Sequence, residues 1–90
     1  MVLSRKEELA IIALGQWKGT NSSVSSLAED KAIFNIASQV IPNLTENRLQ
    51  VELMSGFKQL QMQGYATVSG GGQWSLTEKG YLRYDELIDK

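Results

Sequence analysis

The sequence predicts a small α+β domain that is mostly helical, with one β-hairpin between its third and last helices. Two observations carry this prediction. The first is a series of helix-start patterns, in which Ser or Thr precedes a stretch with apolar residues at helical spacing. The second lies in residues 60–84, where a glycine, two short alternating stretches around three further glycines, and a threonine follow one another.

The first predicted helix spans residues 4–18. Ser4 and Glu7 have capping-box spacing, in which each side chain accepts a hydrogen bond from the other residue's backbone N–H. The apolar residues cover more than one stripe, since Leu9 and Ile12 share a face while Ile11 lies on another side. Such a helix is either the centre of the core or part of a dimer interface, and we favour the core position.

A second helix is predicted over residues 26–41. Ser26 and Glu29 form another capping-box pattern, and Pro42 ends the helix because it disfavours helical geometry at Ile41. The polar connection before this helix leaves room for a short first strand over residues 20–24.

Thr45 caps a third predicted helix, residues 45–63, whose two sides differ in chemistry. One side is apolar and is expected to face the core; it carries Leu49, Leu53, Phe57 and Leu60. The opposite side has groups that suit base edges: Arg for guanine, Gln for adenine, a hydroxyl for either, and Val for a thymine methyl. The candidates for DNA contact are Asn47, Arg48, Val51, Ser55, Lys58 and Gln59. Each of them singly also fits a solvated helix surface, and the set gains weight from the hairpin that follows.

The hairpin is predicted over residues 65–76 and the last helix over residues 77–89. Gly64 ends the third helix at a position that favours a positive φ. Alternation places Trp74 and Leu76 on one face, so Trp74 is predicted to cover the core rather than to stack on a base. The connecting loop contains no cation, so its contacts with a phosphate would come from backbone N–H groups. The candidate loop residues are Gly70, Gly71, Gly72 and Gln73.

The run Leu60-x-x-x-Gly64-Tyr65, the short hairpin and the following Leu76-Thr77-Glu78-Lys79-Gly80-Tyr81 resemble the winged-helix DNA-binding proteins of prokaryotes. Regulators of the multiple-antibiotic-resistance and phenolic-acid-decarboxylase families carry the same run. The resemblance implies one winged-helix domain over residues 1–90, with three helices, a hairpin wing and a C-terminal helix. It also implies a transcription regulator that places helix 46–63 in the major groove of double-stranded DNA. Winged helices also serve as protein-interaction modules, and that is the alternative function.

Charge limits how strongly such a domain would attract DNA. Nine basic and ten acidic residues give a net charge of −1, whereas a dedicated nucleic-acid-binding domain is often strongly basic. The electrostatic attraction is weak unless the fold gathers the cations on one face. A two-fold dimer would double the phosphate contacts, and its predicted interface is helix 4–18, helix 77–89 or both.

Catalysis and metal binding find little support in the sequence. The chain has no histidine and no cysteine, which removes catalytic triads, thiol nucleophiles and the common transition-metal sites. We therefore predict no catalytic residue, no metal ligand and no cofactor. The longest apolar run, residues 9–14, is too short to cross a bilayer, and no secretory signal pattern is present. The expectation is a cytoplasmic protein that is not an enzyme and does not bind membranes.

Overall fold

The computed structural model describes residues 4–17 and 23–89, which form five helices and one antiparallel hairpin. The elements in chain order are α1 (Arg5–Trp17), α2 (Val24–Glu29), α3 (Lys31–Ser38), α4 (Glu46–Met62), β1 (Ala66–Val68), β2 (Trp74–Leu76) and α5 (Glu78–Ile88). The architecture is α+β and mostly helical, which confirms this part of the predicted fold class.

Helix α1 is the central element of the core. Its start has the predicted capping box: Ser4 N donates to Glu7 Oε1 at 3.1 Å, and Glu7 N donates to Ser4 Oγ at 3.2 Å. The helix contacts α4, α5 and β2, and its apolar residues are buried on more than one side. The buried hydrophobic residues are Leu9, Ala10, Ile11, Ala13 and Leu14.

The single helix predicted over residues 26–41 is wrong, because the chain breaks at Asp30 into α2 and α3. The backbone of Asp30 is extended, with φ −74° and ψ 120°. Its Oδ1 accepts hydrogen bonds from Ala32 N at 2.8 Å and Ile33 N at 3.2 Å, which caps α3. Its Oδ2 accepts a hydrogen bond from Trp17 Nε1 at 2.9 Å. The end of α1 therefore holds the break in place.

Both ends of this region also differ from the prediction. Ser23, not Ser26, caps α2, since its Oγ accepts a hydrogen bond from Ser26 N at 3.3 Å. The strand predicted over residues 20–24 does not form at Val24, which begins α2, and residues 20–22 lie outside the described part of the chain. At the other end, α3 stops at Ser38, several residues before Pro42, and turns lead to α4.

Helix α4 packs its apolar side on the core, as predicted from its periodicity. Leu49, Leu53, Phe57 and Leu60 are all fully buried. The ring of Phe57 lies 5.4 Å from that of Trp74, tilted by 44°. Trp74 is itself buried, which confirms that it covers the core.

The hairpin is short and closely tied to the helices on either side. Ala66 pairs with Leu76, and Val68 pairs with Trp74. The chain leaves α4 through Gly64, whose φ of 84° confirms the predicted positive value. At the other end, Thr77 Oγ1 donates to Gly64 O at 2.7 Å and accepts from Gly80 N at 3.1 Å. The base of the hairpin is thereby fixed to the end of α4 and to the start of α5.

Gly80 allows α5 to approach the base of the hairpin closely. A Cβ added at this position would collide with the carbonyl oxygen of Tyr65 and would lie 3.0 Å from Leu76 Cβ. The carbonyl oxygen belongs to the main chain, so a change of side-chain rotamer cannot relieve the collision.

We predict that Gly80→Ala destabilises the protein by about 2 kcal/mol, because overpacking costs more than the ~1 kcal/mol that Ala gains over Gly in a helix. Urea denaturation followed by circular dichroism measures the free energy of unfolding. The matched control is Gly70→Ala, since no atom lies within 4 Å of a Cβ added there; we expect a change within about 0.5 kcal/mol. Equal effects at the two positions would contradict the close approach of α5.

Candidate nucleic-acid interface

The outward face of α4 carries every helix residue named above as a candidate for DNA contact. At 100° per residue they occupy an arc of about 120° on one side of the helix, and all are exposed: Asn47, Arg48, Val51, Ser55, Lys58 and Gln59. The start of this face is fixed by Thr45, whose Oγ1 accepts a hydrogen bond from Arg48 N at 3.1 Å. A rigid helix therefore presents the whole set in one direction.

An open groove of about 680 Å³ connects this face of α4 to the hairpin loop and to the start of α2. Its lining residues are Val24, Ser25, Gln50, Val51, Met54, Ser55, Lys58 and Gly72. The fold thus brings three candidate residues of α4 together with one candidate glycine of the loop. The other candidates are exposed but do not line the groove: Asn47, Arg48, Gln59, Gly70, Gly71 and Gln73.

Sequence reasoning missed half of the groove lining. Met54 lies three residues after Val51 and four before Lys58, so helical spacing was enough to find it, and Gln50 lies four residues before Met54. Val24 and Ser25 belong to the first turn of α2. No local pattern identifies them, because their position depends on how α2 packs against α4.

The cation at the start of α4 is part of an ion-pair cluster. Glu52 Oε1 lies 3.5 Å from Arg48 Nε, and Glu52 Oε2 lies 2.5 Å from Lys6 Nζ of α1. The Lys6 ammonium lowers the pKa of the Glu52 carboxyl by more than burial raises it, and Arg48 lowers this pKa further. Glu52 is therefore an anion at neutral pH. The Arg48–Glu52 spacing of i,i+4 is visible in the sequence, but Lys6 reaches the cluster only through the packing of α1 on α4.

Few cations lie along the groove. Lys58 belongs to its lining, and the loop over residues 69–73 has no charged side chain. Lys79, beside the base of the hairpin, donates to Gln63 O at 3.0 Å and lies 4.5 Å from the centroid of the Tyr65 ring. It therefore fastens the hairpin base to the end of α4.

Protein-family models, curated proteins and solved structures gave no match to this chain. In the described part of the chain, no helix is long and apolar enough to cross a membrane. Within residues 4–17 and 23–89, no group of three acidic side chains is arranged to hold a metal ion.

The lowered pKa of Glu52 predicts a stability difference that depends on pH. In Glu52→Gln the carboxylate is absent, so wild type should be more stable by up to about 1 kcal/mol above pH 4.5, the usual pKa of the group. The difference should vanish as the pH falls through the lower pKa of the folded state, because the carboxyl is then protonated. Urea denaturation from pH 7 to pH 3 measures it, and 1 M NaCl should shrink it at pH 7. A difference that stays constant over this range would contradict the assignment.

Proposed function

We propose that the chain is a winged-helix protein that binds double-stranded DNA as a small transcription regulator, with α4 in the major groove. The observation that carries the proposal is the shared groove, in which the polar outer face of α4 lies beside the hairpin loop. The order of helices and hairpin agrees with the resemblance of residues 60–81 to prokaryotic regulators. In this proposal the protein acts in the cytoplasm, where prokaryotic DNA lies.

The dimensions and chemistry of α4 suit the major groove. Its 17 residues give a rod about 25 Å long at 1.5 Å per residue, and a major groove admits one such helix. Arg48 would bind guanine and Gln59 adenine, while Val51 would contact a thymine methyl. Lys58 would pair with a phosphate, since it is exposed and lines the groove that the loop also borders.

The hairpin loop would serve as a neutral wing. Gly72 N donates to Ser69 O at 3.0 Å and Ser69 N donates to Gln73 O at 2.9 Å, so these two N–H groups close the loop. Gly70 and Gly71 are exposed and have no side chain, so their backbone can approach a phosphate closely. A wing of this kind adds shape complementarity but little electrostatic attraction.

The alternative function is a protein-interaction module, and the exposed apolar side chains favour it. Val51 is 63% exposed and Met54 is 37% exposed in the groove, while Met62 at the end of α4 is 80% exposed. An amphipathic helix of a partner would bury these side chains in the groove. The net charge of −1 also fits this alternative better than it fits a DNA-binding domain.

For DNA binding we also propose a homodimer, with its interface on the outer face of α5. The two helices predicted to form the interface differ in what they expose. Ile11 and Leu14 of α1 are fully buried within the protomer. In α5, the ring of Tyr84 lies against Gly15, whereas Leu82 and Ile88 are exposed. In a two-fold dimer, α5 of one protomer would pack against α5 of the other. This interface would bury these two side chains, and the dimer would have twice the number of phosphate contacts.

The DNA-binding proposal predicts weak but salt-dependent affinity for random duplex DNA. Wild type should bind at low salt and weaken as counterions compete. The slope of log K against log salt is negative for a DNA-binding protein. Lys58→Ala should make it less negative by about 0.9 per protomer, the value for one lost phosphate contact. Lys31→Ala on α3 is the control: it removes one exposed cation that does not line the groove and should leave the slope unchanged. Fluorescence anisotropy measures all three. Wild type that binds no duplex at low salt would favour the interaction module.

The dimer proposal predicts that Leu82→Glu abolishes self-association, because the carboxylate would be buried at the interface without a partner. Sedimentation at rising concentration should give twice 10.0 kDa for wild type and a monomer for the variant. Met62→Glu, at an exposed apolar residue of α4, is the control and should still dimerise. Wild type that stays at 10.0 kDa with and without DNA would rule the dimer out.

A further inference from the structure

Arg48 is held at two points, although its side chain is largely exposed. Its backbone N–H is bound by the capping hydroxyl of Thr45. The Nε atom of its guanidinium lies 3.5 Å from Oε1 of Glu52, one turn further along the helix, which is the distance of an ion pair. The Arg48 side chain is 57% exposed, whereas that of Glu52 is only 12% exposed. The carboxylate therefore lies beneath the guanidinium, on the side of α1.

In the ion pair with Glu52, the guanidinium atom that approaches the carboxylate is Nε. A guanidinium has five N–H donors in a planar fork, and the contact with Glu52 is made at Nε. The terminal Nη groups can then donate two parallel hydrogen bonds to a planar pair of acceptors. The major-groove edge of guanine, with O6 and N7, is such a pair.

We propose that Glu52 is a positioning residue that holds Arg48 for bidentate recognition of one guanine in the DNA site. This inference rests on the proposed function and specifies one base that the site reads. A long exposed arginine loses side-chain entropy when it binds a base. An ion pair at Nε before DNA binds reduces this entropy loss and fixes the plane of the guanidinium. Binding to a wrong base is then penalised more strongly.

Lys6 makes this arrangement compatible with a DNA surface. An unpaired carboxylate beside the recognition face would repel phosphates. The Lys6 ammonium, 2.5 Å from Glu52 Oε2, offsets that charge from the side of α1. The cluster of Lys6, Glu52 and Arg48 therefore keeps one net positive charge, which Arg48 presents at the surface.

The test compares the effect of one guanine modification in wild type and in variants of Glu52. A preferred duplex is first selected from a random pool with wild-type protein. Each guanine in it is then replaced by 7-deazaguanine, which lacks the N7 acceptor. We expect one position in each half-site where this replacement weakens wild-type binding roughly tenfold. In Glu52→Gln the penalty at that position should fall below about threefold, while the affinity for random duplex does not decrease.

Two further variants separate position from charge. Glu52→Asp keeps the charge but shortens the side chain by one methylene, so the guanine penalty should fall although the net charge is unchanged. Glu46→Gln removes one carboxylate from the first turn of the same helix. It should bind all duplexes slightly more tightly and keep the full guanine penalty. Thermal melting of each variant by circular dichroism confirms that it is folded before its binding is compared.

The outcomes distinguish this inference from the proposed function. A full guanine penalty in both Glu52 variants would overturn the positioning role and leave DNA binding intact. Tighter binding of Glu52→Gln to every duplex, with the penalty unchanged, would mean that Glu52 acts only through its charge, which also overturns it. Wild type that binds DNA without any guanine penalty overturns the inference alone. Wild type that binds no duplex removes both the inference and the function on which it rests.

Discussion

The packing of Phe57 against Trp74 is the contact on which the candidate site depends. Phe57 lies on the buried side of α4, so its ring decides which side of the helix faces outward. Trp74 belongs to β2, so the same contact decides where the hairpin lies relative to that outward side. The base of the hairpin is also fixed by the hydrogen bond between Thr77 and Gly64. Together the two contacts determine the position of the loop. One pair of rings thus links the core to the groove between α4 and the loop.

The features that sequence reasoning predicts well are those set by local chemistry. The ends of α4 follow from the Thr45 cap and from Gly64, and both depend on residues within a few positions. The hairpin follows from alternation around glycines. The break at Asp30 was missed because Glu29 and Asp30 also fit the surface of a continuous helix. One oxygen of Asp30 caps α3 locally, while the other accepts a hydrogen bond from the indole of Trp17, 13 residues earlier, and no local pattern contains that contact.

The same limit applies to the candidate site. Periodicity places the six candidate residues of α4 on one exposed face, but it cannot show which of them are held in place. Lys6 and Glu52 are far apart in the chain, and their ion pair exists only because α1 packs against α4, with Lys6 O and Ala10 beside Gly56. The role assigned to Arg48 depends on this pair. Sequence reasoning therefore finds the candidate residues, while the fold supplies their orientation.

The break at Asp30 also determines the shape of the groove. A continuous helix over residues 26–41 would have one axis, set by the burial of its longer second part. Because the chain turns at Asp30, α2 is a separate helix from α3. It packs against α4 and buries Leu27 and Ala28. Its first turn then places Val24 and Ser25 opposite Val51 and Met54 across the groove. The hydrogen bond from Trp17 to Asp30 lies outside the groove, yet it fixes one of its walls. In this small fold, a part-buried contact of α1 therefore lies at the junction between α3 and the helix that lines one side of the groove.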